Sequence, residues 1–231
     1  RRQRQMCIRD RCMKKVVLLA IAVLLYIGVN AQIVSSRSVG VNAAKSTSET
    51  LNYFRAGINM MKFAGDADDS ESKTGYSVTY GFMKPMGSFG MYWGMEFGLG
   101  SRGGKSGDEF TQIAHNVQYS PFHLGYRYGF TDALKVDVHV GAYASFDYAG
   151  KIKIDDDGDK SEFNIGDWNE DLGDGGLGMD WRRYDVGLNA GIGIWYNNFN
   201  LDFNFQRGFI EAEKDGEYYT SNFMIRLGIA F

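Results

Sequence analysis

Between Tyr184 and Gly208 apolar and polar residues alternate with a period of two. Val186, Leu188, Ala190, Ile192, Ile194 and Tyr196 fall on one side. Asp185, Gly187, Asn189, Gly191 and Gly193 fall on the other, with Trp195 closing that set. After Asn197-Asn198 the alternation resumes: Phe199, Leu201, Phe203 and Phe205 oppose Asn200, Asp202, Asn204 and Gln206. Successive side chains of a strand point to opposite faces, so this spacing predicts a β-hairpin with one apolar face. Asn tolerates positive φ, which suits a two-residue primed turn. Each arm has roughly the 9–11 residues that a tilted strand needs to cross a bilayer.

The unit recurs along the chain. Phe54, Ala56, Ile58 and Met60 alternate with Arg55, Gly57 and Asn59; Tyr76, Val78, Tyr80 and Phe82 with Ser77, Thr79 and Gly81. Met91 to Leu99, Phe122 to Phe130, Leu134 to Tyr148 and Phe223 to Phe231 repeat it. About eight strands result. Long polar links follow the first, third, fifth and seventh; tight turns follow the second, fourth and sixth. An outer-membrane barrel has this asymmetry, with short periplasmic turns and longer outer loops. Four stretches read as outer loops: GDADDSESKTG, SRGGKSGDE, an acidic insert from about Lys151 to Trp181, and EAEKDGE.

Alternation alone does not say which face meets water. A secreted lipocalin-like barrel would bury the apolar face, and a membrane barrel would turn it outward. Three features favour the membrane. The charges Arg55, Glu96, Arg127, Asp137, Asp147, Asp185, Asp202 and Arg226 all share the face opposite the apolar one. That face is rich in Gly, as the crowded bore of a small barrel requires. Aromatic residues gather at strand ends: Tyr126, Tyr128, Phe130, Tyr196, Phe199 and Phe231 at one rim, Phe63, Tyr76, Phe146, Tyr148 and Tyr184 at the other. Such girdles belong at water–lipid interfaces. The expected fold is an all-β, eight-stranded antiparallel up-and-down transmembrane barrel over residues 51–231.

The segments before it have other signatures. Residues 1–12 look like an upstream extension outside the natural reading frame. Residues 13–31 have a basic start at Lys14-Lys15, an apolar run and a Val29-Asn30-Ala31 cleavage pattern, the marks of a signal peptide. Residues 32–50 read as a periplasmic lead-in. The formal net charge is -3, but the first 31 residues hold seven Arg or Lys against one Asp. The remainder is clearly acidic, which argues against nucleic acid as a partner. Both cysteines, Cys7 and Cys12, precede the expected cleavage point, so no disulfide or thiolate metal site is expected.

The run VQYSPFHLGYRYGFTDALKVDVHVGAYASF and the hairpin YDVGLNAGIGIWYNNFNLDFNFQRGF resemble the PorT-like outer-membrane β-barrel family. The terminal LGIAF is similar to the aromatic signal, here ending at Phe231, that barrel-insertion machinery reads. The resemblance covers roughly Leu51 to Phe231 and rests on alternation and glycines. It implies an outer-membrane barrel in contact with lipid and lipopolysaccharide. Some family members are linked to type IX secretion, so an accessory role there is one implied alternative.

Candidate chemistry is sparse. His123 and His139 fall on the inward face of adjacent strands, near Asp137 and Arg127, and read as part of an interior hydrogen-bond network rather than a catalytic or metal cluster. His115 has no assigned role. Ser120 and His123 lie three apart, which in a regular strand places them on opposite faces and weakens a hydrolase reading. The mixed-sign lumen suggests a salt-bridged plug rather than a pore. The acidic insert could hold calcium, but with Gly158 at the sixth EF-hand place the first ligand position is Lys153, so a solvated loop fits better. Gly187, Gly191 and Gly193 lack nucleotide-fingerprint spacing. Pro121, lacking an N–H, should mark a bulge or the start of pairing. The expectation is a monomeric structural or surface-interaction protein, with no catalytic residue, cofactor or metal. A narrow channel, a secretion accessory and a lipid-modifying enzyme are the alternatives.

Overall fold

In the computed structural model the period-two segments form antiparallel strands. It describes residues 50–65, 70–87, 89–107, 110–156, 159–165, 181–213 and 217–231. The upstream extension, the signal peptide and all but the last residue of the lead-in lie outside the described residues, as does the central part of the acidic insert, Gly158 included.

Eight long strands close a ring: β1 (Leu51–Gly65), β3 (Lys73–Pro85), β4 (Met91–Ser106), β5 (Phe110–Gly129), β6 (Leu134–Asp156), β8 (Tyr184–Tyr196), β9 (Phe199–Glu211) and β10 (Tyr218–Ala230). Each pairs antiparallel with its sequence neighbour, and β10 returns to β1 through thirteen residue pairs from Tyr53↔Ala230 to Gly65↔Tyr218. Two short strands, β2 (Ser70–Glu71) and β7 (Asp159–Asn164), extend β4 and β6 at the long-loop end. Closure gives each of the eight long strands a neighbour for its backbone groups on both sides. Among the described residues no helix is long and apolar enough to cross a membrane. The strands are the crossing elements.

The faces are oriented as the charge segregation requires. Leu188, Val138 and Leu227 are 49%, 51% and 70% exposed, whereas Asp202 and Arg226 are at 0% and 1%. A soluble barrel would reverse these values. The wall is therefore a lipid-facing surface, and the molecule is a transmembrane β-barrel. At the Asn197-Asn198 turn, Asn197 takes a φ of 52°, the sign that a primed hairpin turn needs at its first central residue.

Four expectations require correction. First, Ser120 and His123 both point inward. Between Tyr119 and Phe122 the β5–β6 register slips, so Ser120-Pro121 oppose the single residue Tyr143. This bulge at Pro121 switches the inward parity of β5 from even to odd residues. Second, SRGGKSGDE is not all loop: β4 continues to Ser106, and Ser101 and Arg102 are buried. Third, the acidic insert begins as a hairpin, β6 running to Asp156 and β7 returning from Asp159. Trp181, at its far end, is buried. Fourth, Phe63 is not part of a girdle. It lies inside the barrel with Ala114, Ile152, Ile165, Trp181 and Ala212. The other girdle residues face outward.

Candidate functional site: the filled lumen and its two rims

Inward side chains fill the bore in successive layers. At the short-turn end Tyr53, Met83, Tyr92, Trp195 and Ala230 form an apolar and aromatic floor. Tyr53 and Trp195 meet edge-on with ring centroids 6.3 Å apart. Arg127 lies beside this floor, its guanidinium carbon 4.5 Å from the Trp195 centroid and 5.4 Å from that of Tyr92. Cation–π attraction offsets part of the cost of holding that charge away from bulk water.

Above the floor sit two arginines and two carboxylates. Arg55 Nη1 is 2.7 Å from Glu96 Oε1 and 3.5 Å from Asp202 Oδ1. Arg226 Nη2 is 2.6 Å from Asp202 Oδ2, and its Nη1 is 3.3 Å from Glu96 Oε2. The four alternate in sign around a closed circuit, so each charge has two opposite partners and the set is neutral. Two further hydrogen bonds support it: Tyr53 donates to Glu96 at 2.8 Å, and Arg55 Nε donates to Asn200 Oδ1 at 2.7 Å. This is the pairing that buried ions need.

Asp137 gathers a second set. Tyr92 donates to its Oδ1 at 2.7 Å, Trp195 Nε1 donates to its Oδ2, and His139 Nδ1 stands 3.0 Å from Oδ1. Asn204 Nδ2 donates to His139 Nε2 at 3.1 Å. The Asn204 amide can only donate, so the ring accepts at Nε2 and donates from Nδ1 to Asp137. His123 packs 6.3 Å from His139, centroid to centroid, and edge-on to Tyr92. The two inward histidines are therefore neighbours, as their strand positions imply: hydrogen bonds hold both ring nitrogens of His139, and His123 meets the network through its ring contacts. Gly193 leaves the space that Asp137 fills: a Cβ there would collide with its carboxylate.

The third set lies towards the long-loop end. Arg102 donates from Nε and Nη2 to Asp147 at 2.9 Å and 2.7 Å, and its Nη1 is 3.6 Å from Asp185. Trp181 Nε1 donates to Asp147 at 2.7 Å; Tyr143 and Thr220 donate to Asp185 at 2.9 Å and 3.0 Å. The Phe63 cluster caps this layer. Arg102 and Trp181 were not identified from sequence. Their only signals were an arginine among glycines and a tryptophan at the end of an acidic run.

On the outer wall His115 is stacked between Tyr76 and Tyr148, with centroids at 5.7 Å and 6.4 Å. Its ladder partner is Ser101, whose Oγ accepts from the Tyr76 N–H at 3.0 Å. Beyond the wall, the β6–β7 extension carries Glu162 between Lys151 and Lys153. Hydrogen bonding to Lys151 and then to Lys153 holds the Glu162 carboxyl below the usual range. Among the described residues no group of three His, Cys, Asp or Glu is placed to hold a metal ion.

These features define an eight-stranded membrane barrel with a filled bore. Three solved structures are similar to it in fold. Ail, the attachment invasion locus protein of Yersinia pestis, is 14% identical with a TM-score of 0.43, covering 79% of this chain and 99% of its own. Neisserial surface protein A is 12% identical with a TM-score of 0.41, covering 78% and 97%. The outer membrane enzyme PagL is 11% identical with a TM-score of 0.46, covering 78% and 99%. No family model matches the sequence. No curated protein matches it either.

Proposed function

We propose that this protein is a closed, monomeric outer-membrane barrel of the PorT-like kind, acting as a structural or surface-interaction element rather than as a channel or an enzyme. The observation that carries the reading is the closed circuit of Arg55, Glu96, Arg226 and Asp202 across the bore. An aqueous pore leaves its charges solvated; these are at most 11% exposed at the side chain. What remains available for recognition is the long-loop end, where β5 and β6, at 20 and 23 residues, exceed the roughly 9–11 needed to cross the bilayer. The exposed Phe231, which follows β10, suits recognition by insertion machinery.

Planar-bilayer recording tests this function. The wild-type barrel should give no stable conductance, and steady ion-selective channels would overturn the closed reading.

One observation favours a second reading, a lipid-modifying enzyme: His115 faces lipid at a rim, opposite Ser101 in the ladder. Two facts weigh against it. The Ser101 hydroxyl is engaged with the Tyr76 backbone, and His115 makes no hydrogen bond to a carboxylate among the described residues. Phospholipid or lipid A hydrolysis that is abolished by His115→Ala would establish the enzyme instead.

A further inference from the structure

One rung of the outer wall does not fit an apolar belt. Lys62 on β1 pairs with Ser221 on β10, and Ser221 pairs with Arg207 on β9. All three share the lipid-facing side with Met60, Phe223 and Phe205, which form the next rung nearer the membrane centre. Adjacent strands are about 4.8 Å apart, so the Lys62 and Arg207 backbones stand roughly 10 Å apart across Ser221. Both side chains can reach the space between them.

Their surroundings indicate what they bind. Lys62 is exposed, and Arg207 is partly buried with its guanidinium carbon 5.3 Å from the Tyr219 ring centroid. Tyr219 lies closer to the long-loop end, so Arg207 is drawn upward, as a snorkelling cation at a lipid–water boundary should be. Neither Lys62 nor Arg207 makes an ion pair among the described residues. The nearby carboxylate Glu211, which opposes Tyr219, is engaged by Arg182 at 3.5 Å. Two cations flank a hydroxyl, above a bed of Phe205, Phe223 and Met60. That arrangement complements a phosphate whose acyl chains run down the wall.

We infer that Lys62, Ser221 and Arg207 form a binding site for a phosphate of lipid A in the outer leaflet. The site rests on the outer-membrane reading, because only there does the long-loop end meet that glycolipid. The bidentate guanidinium and the lysine ammonium hold the phosphate oxygens, the Ser221 hydroxyl donates between them, and the aromatic rung packs against the first methylenes.

Native mass spectrometry of the folded barrel in delipidating detergent provides the test, with bisphosphorylated lipid A, dephosphorylated lipid A and phosphatidylglycerol as separate probes. Migration of unboiled protein on gels verifies folding first, so a failure of the barrel reading is seen separately from a failure of the site. Wild type should retain one bisphosphorylated lipid A. The Lys62→Gln/Arg207→Gln pair should weaken retention by roughly tenfold or more, the scale of losing charge-assisted hydrogen bonds. Lys62→Arg/Arg207→Lys should keep most of it. Equal retention of the dephosphorylated lipid, equal retention of phosphatidylglycerol, or unchanged binding in the Gln pair would each overturn the site.

Discussion

Arg226 and Asp202 are directly opposed on β10 and β9, and both lie inside the barrel with Nη2 2.6 Å from Oδ2 and Nε 2.8 Å from the same oxygen. The pair is held by strand register, so neither side chain can leave without the other losing its closest partner. Removing one charge should therefore cost more than removing both. Asp202→Ala should destabilise the refolded barrel by about 3–5 kcal/mol, the scale for stranding a buried charge. Asp202→Leu combined with Arg226→Met should recover much of that loss. Urea unfolding followed by gel mobility reads both.

Gly125 gives a packing test. A Cβ at this position would collide with the Tyr92 ring, which donates to Asp137 and forms part of the floor. Gly125→Val should displace Tyr92 and lower stability by about 1–3 kcal/mol, as overpacking does elsewhere. Gly87, at a turn with open space around it, serves as a comparison site, although its φ of 70° makes any side chain there strained.

The bulge at Pro121 predicts a contrast between substitution and deletion. Pro121→Ala keeps the residue count and should change stability by less than about 1 kcal/mol. Deleting Pro121 removes the parity switch, so one half of β5 must present its lipid face to the lumen. The deletion should yield no heat-modifiable folded band.

Outside the bilayer, Glu162 offers a titration. Its carboxyl is depressed by hydrogen bonds to Lys151 and Lys153. A depressed carboxyl contributes stability above its unfolded pKa and loses it as pH falls through the lower, folded value. The β6–β7 pairing should thus hold at neutral pH and weaken only in acid below the ordinary glutamate range. NMR of the Glu162 side-chain carboxyl follows the transition. Lys151→Gln/Lys153→Gln should move the midpoint back up, and an unmoved midpoint would contradict the assignment.

Strand number, loop asymmetry and the inward charges could be read from sequence because lipid forces one face of each spanning segment to be apolar. Asp185, Asp202 and Arg226 stand out against Leu188, Phe203 and Leu227 for that reason. The signal fades where strands pass beyond the membrane. There water accepts any residue, so the continuation of β4 through Arg102 and of β6 through Asp156 looked like loop. Local irregularity hid more. Ser120 and His123 were assigned to opposite faces by a strict period of two, which a bulge breaks. At Gly103 a φ of 140° interrupts the pattern just past Arg102. Phe63 was misplaced because an aromatic at a strand end serves equally as a girdle residue or as a plug. The partners of Asp137 are contributed by β4, β6 and β8, and no local pattern encodes their convergence.

The barrel turns Leu188 to lipid and its neighbour Asn189 to the bore. Single cysteines at Leu188 and Asn189, in a chain lacking Cys7 and Cys12, test this through bilayers containing nitroxide-labelled lipid. Fluorophore at position 188 should be strongly quenched, while the thiol at 189 should resist aqueous reagents until the barrel unfolds. Rapid aqueous labelling of folded protein at 189 with no lipid quenching at 188 would mean that the faces point the other way.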